Sequence, residues 1–129
     1  MLLLRPQLVT FDGVEWRSVE KVVIERRAAK TVEAWSDGGP HVVFVDVPEQ
    51  KVVVRVTQEL ACEDLDEPKP GELGELRFET ALNGSSAGRT AVVVTGVVVG
   101  VSYGVSRGGV STRVVELVAV SGDGVGVFR

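Results

Sequence analysis

Valine is the feature that most narrows what this chain can become, because it recurs in dense runs along most of the sequence. A β-branched side chain loses rotamer freedom in a helix and packs well on a pleated surface, so the residue itself points to strands. The spacing points the same way. From Lys51 to Leu60, Val52, Val54, Val56 and Leu60 make the even positions mostly apolar, whereas Lys51, Arg55, Thr57 and Glu59 are polar, the alternation of a half-buried strand. Arg77 to Leu82 repeats it, with Phe78 and Leu82 opposite Arg77 and Glu79.

The runs Val19 to Glu25, Val42 to Val47, Ala91 to Val105 and Thr112 to Val120 are apolar at both parities. Such strands are expected to be covered on both faces, within the domain or by a neighbouring chain. Turn chemistry predicts antiparallel connections between the strands. Gly108-Gly109 supplies a hairpin between the last two runs, Pro48 a second within Val47 to Lys51, and Asp12-Gly13 a third. Glu25 to Ala34 is the best helix candidate, but its apolar residues form no stripe, so little or no helix is expected. The acids, prolines and glycines of Glu63 to Glu75 predict a long exposed loop, and Asn83 to Arg89 a shorter one. The predicted fold is all-β, an antiparallel β-sandwich or barrel-like domain with long hairpins. At 129 residues it is read as a single domain over 1–129.

Composition removes several function classes. A net charge of −4 argues against a surface that grips polyanions. The one cysteine, Cys62, has no intramolecular disulfide partner, which suits a reducing compartment. The apolar start Met1 to Leu4 lacks the length and cleavage site of a signal peptide, so export by that route is not expected. The longest valine-rich region is interrupted by Thr95, Gly96 and Gly100, so no membrane span is expected either.

Chemistry-bearing constellations are equally sparse. The one histidine, His41, has no serine or cysteine in a nucleophile setting and reads as a surface residue. One histidine and one cysteine leave a zinc site short of its usual ligands. The acids Glu63, Asp64, Asp66 and Glu67 lack the alternation and central glycine of a calcium loop. With aromatic residues at 5%, Trp16 and Trp35 read as core or interface anchors and not as a sugar platform. Arg26 and Arg27, flanked by Glu25 and Glu33, read as a solvated face. No enzyme, cofactor or metal is therefore expected. Gly96, Gly100 and Gly104 recur every four residues, which in a regular strand places them on one face, relieving crowding or admitting another backbone.

The C-terminal half, Ala91-Val92-Val93-Val94-Thr95-Gly96-Val97-Val98-Val99-Gly100-Val101 through Thr112-Arg113-Val114-Val115-Glu116-Leu117-Val118 to Ser121-Gly122-Asp123-Gly124, resembles the closing hairpin of small tail tube and tail-associated proteins of bacteriophages and gene transfer agents. Phe11-Asp12-Gly13-Val14-Glu15-Trp16, followed by Val19 to Arg26, is similar in style. The resemblance covers both ends of the chain and implies a structural virion protein, made in the bacterial cytoplasm and residing in the tail. It implies protomers that form a homo-oligomer, hexameric in that family, and stack as rings around a channel that DNA passes through without tight binding, in contact with other tail proteins. No helix accompanies the strands here, so the resemblance reaches the tail class and not one position within it.

On that reading the subunit-contact candidates are Cys62, Asp64, Leu65, Pro68, Pro70 and Leu73 in the long loop, with Val97, Val99, Val101 and Tyr103 in the hairpin. Acidic walls would repel phosphate and let a duplex slide. The channel-facing candidates are Glu79 and Glu116 on strands and Glu63, Asp66 and Glu67 in the loop. The alternative is a monomeric immunoglobulin-like or carbohydrate-binding β-sandwich that presents its loops to a partner.

Overall fold

The computed structural model describes residues 2–3, 7–60, 68–80, 90–105 and 111–121. They form eight strands and, among the described residues, no helix: β1 (Leu2–Leu3), β2 (Gln7–Phe11), β3 (Val14–Glu15), β4 (Val19–Trp35), β5 (Val42–Leu60), β6 (Leu73–Thr80), β7 (Thr90–Gly104) and β8 (Ser111–Ala119). All pairings are antiparallel, in one sheet of order β1-β4-β5-β8-β7-β6-β2-β3.

That order explains the shape. β1 and β2 lie near opposite ends of the sheet yet are separated only by residues 4–6, with β1 on β4 and β2 on β6. The N-terminal segment therefore draws the two ends together, and the sheet rolls into a barrel-like form with one inward face. The core confirms the rolling, since Val9 and Phe11 from one end share a cluster with Val22 and Ile24 from the other. Val54, Val56, Leu76, Phe78, Val94, Val98, Val115 and Leu117 complete it. These are the alternate residues of each strand, as the period of two requires.

Turn chemistry acts as expected at Asp12-Gly13, whose φ values of 52° and 83° are those of a two-residue hairpin loop closing Phe11 onto Val14. Leu8 also has a positive φ, 52°, where the pairing of β2 with β6 shifts register between Gln7 and Thr10. For a branched side chain that conformation costs on the order of 1 kcal/mol, and here it accompanies the bend of the closing strand.

Pro48 does not make a turn. β5 runs through it without a break, and the connection from β4 falls at residues 36–41. The β4–β5 ladder is irregular on both sides of Lys30↔Glu49, so the residue without an N–H sits where regular pairing lapses. Glu25 to Ala34 is strand and not helix, being part of β4. The exposed loop expected up to Glu75 ends earlier, because β6 begins at Leu73. The residues leading into it are tied down: Gly71 N donates to Val98 O at 2.7 Å, Val98 N donates to Glu72 O at 2.9 Å, and Pro68 is buried. The Gly108-Gly109 turn and the loop Asn83 to Arg89 lie outside the described residues.

One interior device was not expected from alternation. Gln58 and Arg113 occupy inward positions and are both buried. Arg113 donates from Nη2 to Gln58 Oε1, and Gln58 Nε2 donates to Arg17 O at 2.6 Å. The Arg113 guanidinium also lies over the Trp16 ring, 5.2 Å from its centroid, and Trp16 stacks on Phe11 at 5.2 Å. Replacing Arg113 by Ala leaves the Gln58 carbonyl without that donor and strips the ring of its cation. We expect a loss of about 2 kcal/mol of unfolding free energy, read by urea denaturation.

Candidate assembly surface

β4 and β5 are far longer than the barrel needs. β5 pairs with β8 only from Val53 to Leu60, and β4 pairs with β1 only at Val22 and Val23. Beyond Arg26↔Val52 the two strands are paired only with each other among the described residues, and their outer parts form a free two-stranded ribbon. At ~3.3 Å per residue the arm reaches about 30 Å.

Toward its end the arm exposes large apolar side chains. From Arg26 to Trp35 every residue of β4 is exposed. Trp35 is 58% accessible, Val43 65%, Phe44 56% and Val45 55%. Directly paired residues share a face, so Val32, Ala34 and Phe44 lie on one side with Asp46, while Glu33 and Val45 lie on the other, which Trp35 joins two residues along. Both faces of the arm are therefore apolar near its end. Val42 to Val47, read as a strand covered on both faces, is half-buried at Val42 and Val47 and exposed from Val43 to Asp46.

Charged residues fasten the arm where it leaves the barrel. Arg55 on β5 donates from Nη1 to Glu25 Oε1 on β4 at 2.9 Å and from Nε to Glu116 Oε2 on β8 at 3.1 Å. Arg27 pairs with the other oxygen of Glu25. Its hydrogen bond outweighs the opposing effect of burial and, with the charges of Arg27 and Arg55 adding to it, holds the Glu25 carboxyl below its usual range. The bond to Glu116, with the charge of Glu25, raises Arg55. These side chains are about one-third exposed or more, so the network orients the strands more than it stabilises the fold.

A second set of carboxyls sits where β4 shifts register between Val19 and Lys21. A hydrogen bond from the protonated Glu59 carboxyl to Glu20, with desolvation and the charge of Glu20, raises Glu59 above its usual range. A raised acid contributes stability that is complete below its unfolded value and lost as the pH rises through its folded value. Glu59→Gln is therefore expected to lessen the fall in melting temperature between about pH 4 and about pH 7, measured by circular dichroism.

The contact candidates divide. Val97 faces outward, paired with Val118 and Leu73, and Leu73 and Val99 are exposed. Val101 and Tyr103 face inward, opposite Val115 and Arg113, and Val101 packs on the core. A β-bulge between Val98 and Gly100 causes this: the extra residue, Val99, reverses the parity of everything after it. The same bulge places Gly96 inward and Gly100 and Gly104 outward, so the three glycines do not share a face. At Gly96 a Cβ would lie 3.2 Å from Val118 O, the close backbone approach that glycine permits. Pro68 is buried and Pro70 exposed, while Cys62, Asp64 and Leu65 lie outside the described residues.

Of the channel candidates, Glu79 is half-buried on the outward side of β6, and Glu116 is engaged by Arg55. Glu63, Asp66 and Glu67 lie outside the described residues. Trp16 is a core residue and Trp35 an exposed one on the arm. Among the described residues no group of three or more His, Cys, Asp or Glu is placed to hold a metal ion. No helix among them is long and apolar enough to cross a membrane. No protein-family model matches the chain, and no curated protein matches it.

Proposed function

We propose that this chain is a structural subunit of a phage-like tail that assembles with copies of itself into rings, of hexameric order in the family it resembles, around a channel for DNA. The observation that carries the reading is the β4–β5 arm: a ribbon about 30 Å long with exposed Trp35, Phe44, Val43 and Val45 on two faces. A strand pair with open edges and apolar faces is an aggregation hazard unless something covers it. Repeated self-association covers it in every subunit at once. The acidic balance of the chain suits a passage that lets phosphate slide.

Negative-stain microscopy of the purified full chain over a concentration series tests this. Rings or short tubes with an open centre are expected. Amorphous particles, or none, count against it. A monomeric binding module instead predicts an unchanged particle size and a melting shift with a ligand.

A further inference from the structure

We infer that the arm of one copy docks on the outward face of β6, β7 and β8 of a second copy. The inference rests on the self-assembly reading above and names what receives the arm. That outward face carries a row that the register aligns across strands, Leu73 beside Val97 beside Val118. Val99 in the bulge and Val120, whose N–H donates to Thr95 O, extend it. Leu73 is 62% accessible and Val99 48%, while Val97 and Val118 are half-buried. The lone chain thus exposes two separate apolar surfaces, one on a projecting ribbon and one on a sheet face.

Charge favours their meeting. The inner part of the arm carries Arg26, Arg27, Lys30 and Lys51, with Glu25 and Glu49 beside them, whereas the acids Glu33 and Asp46 lie nearer its end. The margin of the receiving face carries Glu72, Glu75 and Glu79 on or next to β6, against Arg77. A basic arm base thus meets an acidic sheet margin while the apolar residues of each surface cover those of the other. Like charge disfavours arm against arm at the same level and sheet margin against sheet margin. Because the surfaces differ, the contact is heterologous: each subunit gives an arm and receives one, and repetition closes a ring or extends a filament. A pair related by a two-fold axis is not its natural product.

The test uses the full chain with Cys62→Ser, made in two singly substituted forms, Phe44→Cys and Val99→Cys, mixed and oxidised. The expected result is a mixed disulfide dimer in clear excess over Phe44→Cys dimers. A charge exchange gives a second readout without new thiols. Lys30→Glu with Lys51→Glu is expected to raise the concentration needed for assembly by tenfold or more, and Glu72→Lys with Glu79→Lys in the same chain to restore it. Assembly with Phe44→Cys dimers dominant, or assembly indifferent to the charge exchange, overturns the docking and leaves the self-assembly reading standing. A chain that stays monomeric at every concentration overturns both.

Discussion

Trp35→Asp combined with Phe44→Asp is expected to abolish assembly while leaving the barrel folded. Both side chains are more than half accessible in the lone chain, and neither belongs to the core cluster, so the substitutions remove nothing the barrel depends on. Exposed positions of this kind shift stability by about 0.5 kcal/mol or less. At an interface the same aromatics are of the type that contributes about 2 kcal/mol or more each, so each loss weakens association by roughly 30-fold. Burying a carboxylate where an indole or phenyl ring had been adds a desolvation cost. Sedimentation velocity should show the doubly substituted chain as a monomer at concentrations where the unsubstituted chain assembles, with the two melting temperatures alike.

Gly74→Val is expected to act in the opposite way, lowering barrel stability by about 3 kcal/mol, the upper end of the cost of overpacking a core. Gly74 pairs with Gly96 on the inward face, and a Cβ built on it would stand 2.6 Å from the tip of the Phe11 ring. That ring has no easy retreat, because it is buried and stacks on Trp16, which in turn lies beneath Arg113. Phe11→Leu in the Gly74→Val chain removes the ring edge and should recover part of the loss. Urea unfolding of the four chains, as a double-mutant cycle, measures the coupling between the two positions. Additive effects would mean that Phe11 is not what Gly74 accommodates.

The strands of the barrel were legible because each buries one face, and a one-faced strand writes its period into the side chains. Val54, Val56, Phe78, Val115 and Leu117 stand at alternate positions, as burial on a rolled sheet demands. Asp12-Gly13 was equally plain, since few other pairs reach positive φ twice in succession at so little cost.

What escaped has physical causes. The arm combines charges with apolar residues on both faces, so Glu25 to Ala34 carries neither a helical stripe nor a strand alternation that one chain can complete. Pro48 is read locally as a turn, but its tolerance depends on a tertiary fact, that β5 has lost its β8 partner at that point. The bulge at Val99 consists of one extra valine among many, so nothing local separates it from its neighbours, and it turns Val101 and Tyr103 from outward to inward. Gln58 and Arg113 did carry a signal, since each is polar at the inward parity of an otherwise apolar strand. Residues that break a pattern at a core position are where a buried polar partnership is to be sought.

The proposed assembly surface was half visible. Runs apolar at both parities announced strands wanting cover on two sides, and Leu73, Val97 and Val99 are outward as a contact surface requires. The arm was marked only in part, by Trp35 as a core or interface anchor and by Val42 to Val47 as a strand wanting cover, because its extent beyond the barrel depends on where β8 ends.

The claim that these surfaces serve self-association is tested most directly by the mass of the full chain in solution. Sedimentation equilibrium over a rising concentration series should show a species several times the 13.8 kDa of one chain, converging on a single ring mass. A single species of one chain's mass at the highest concentration reached would contradict the account.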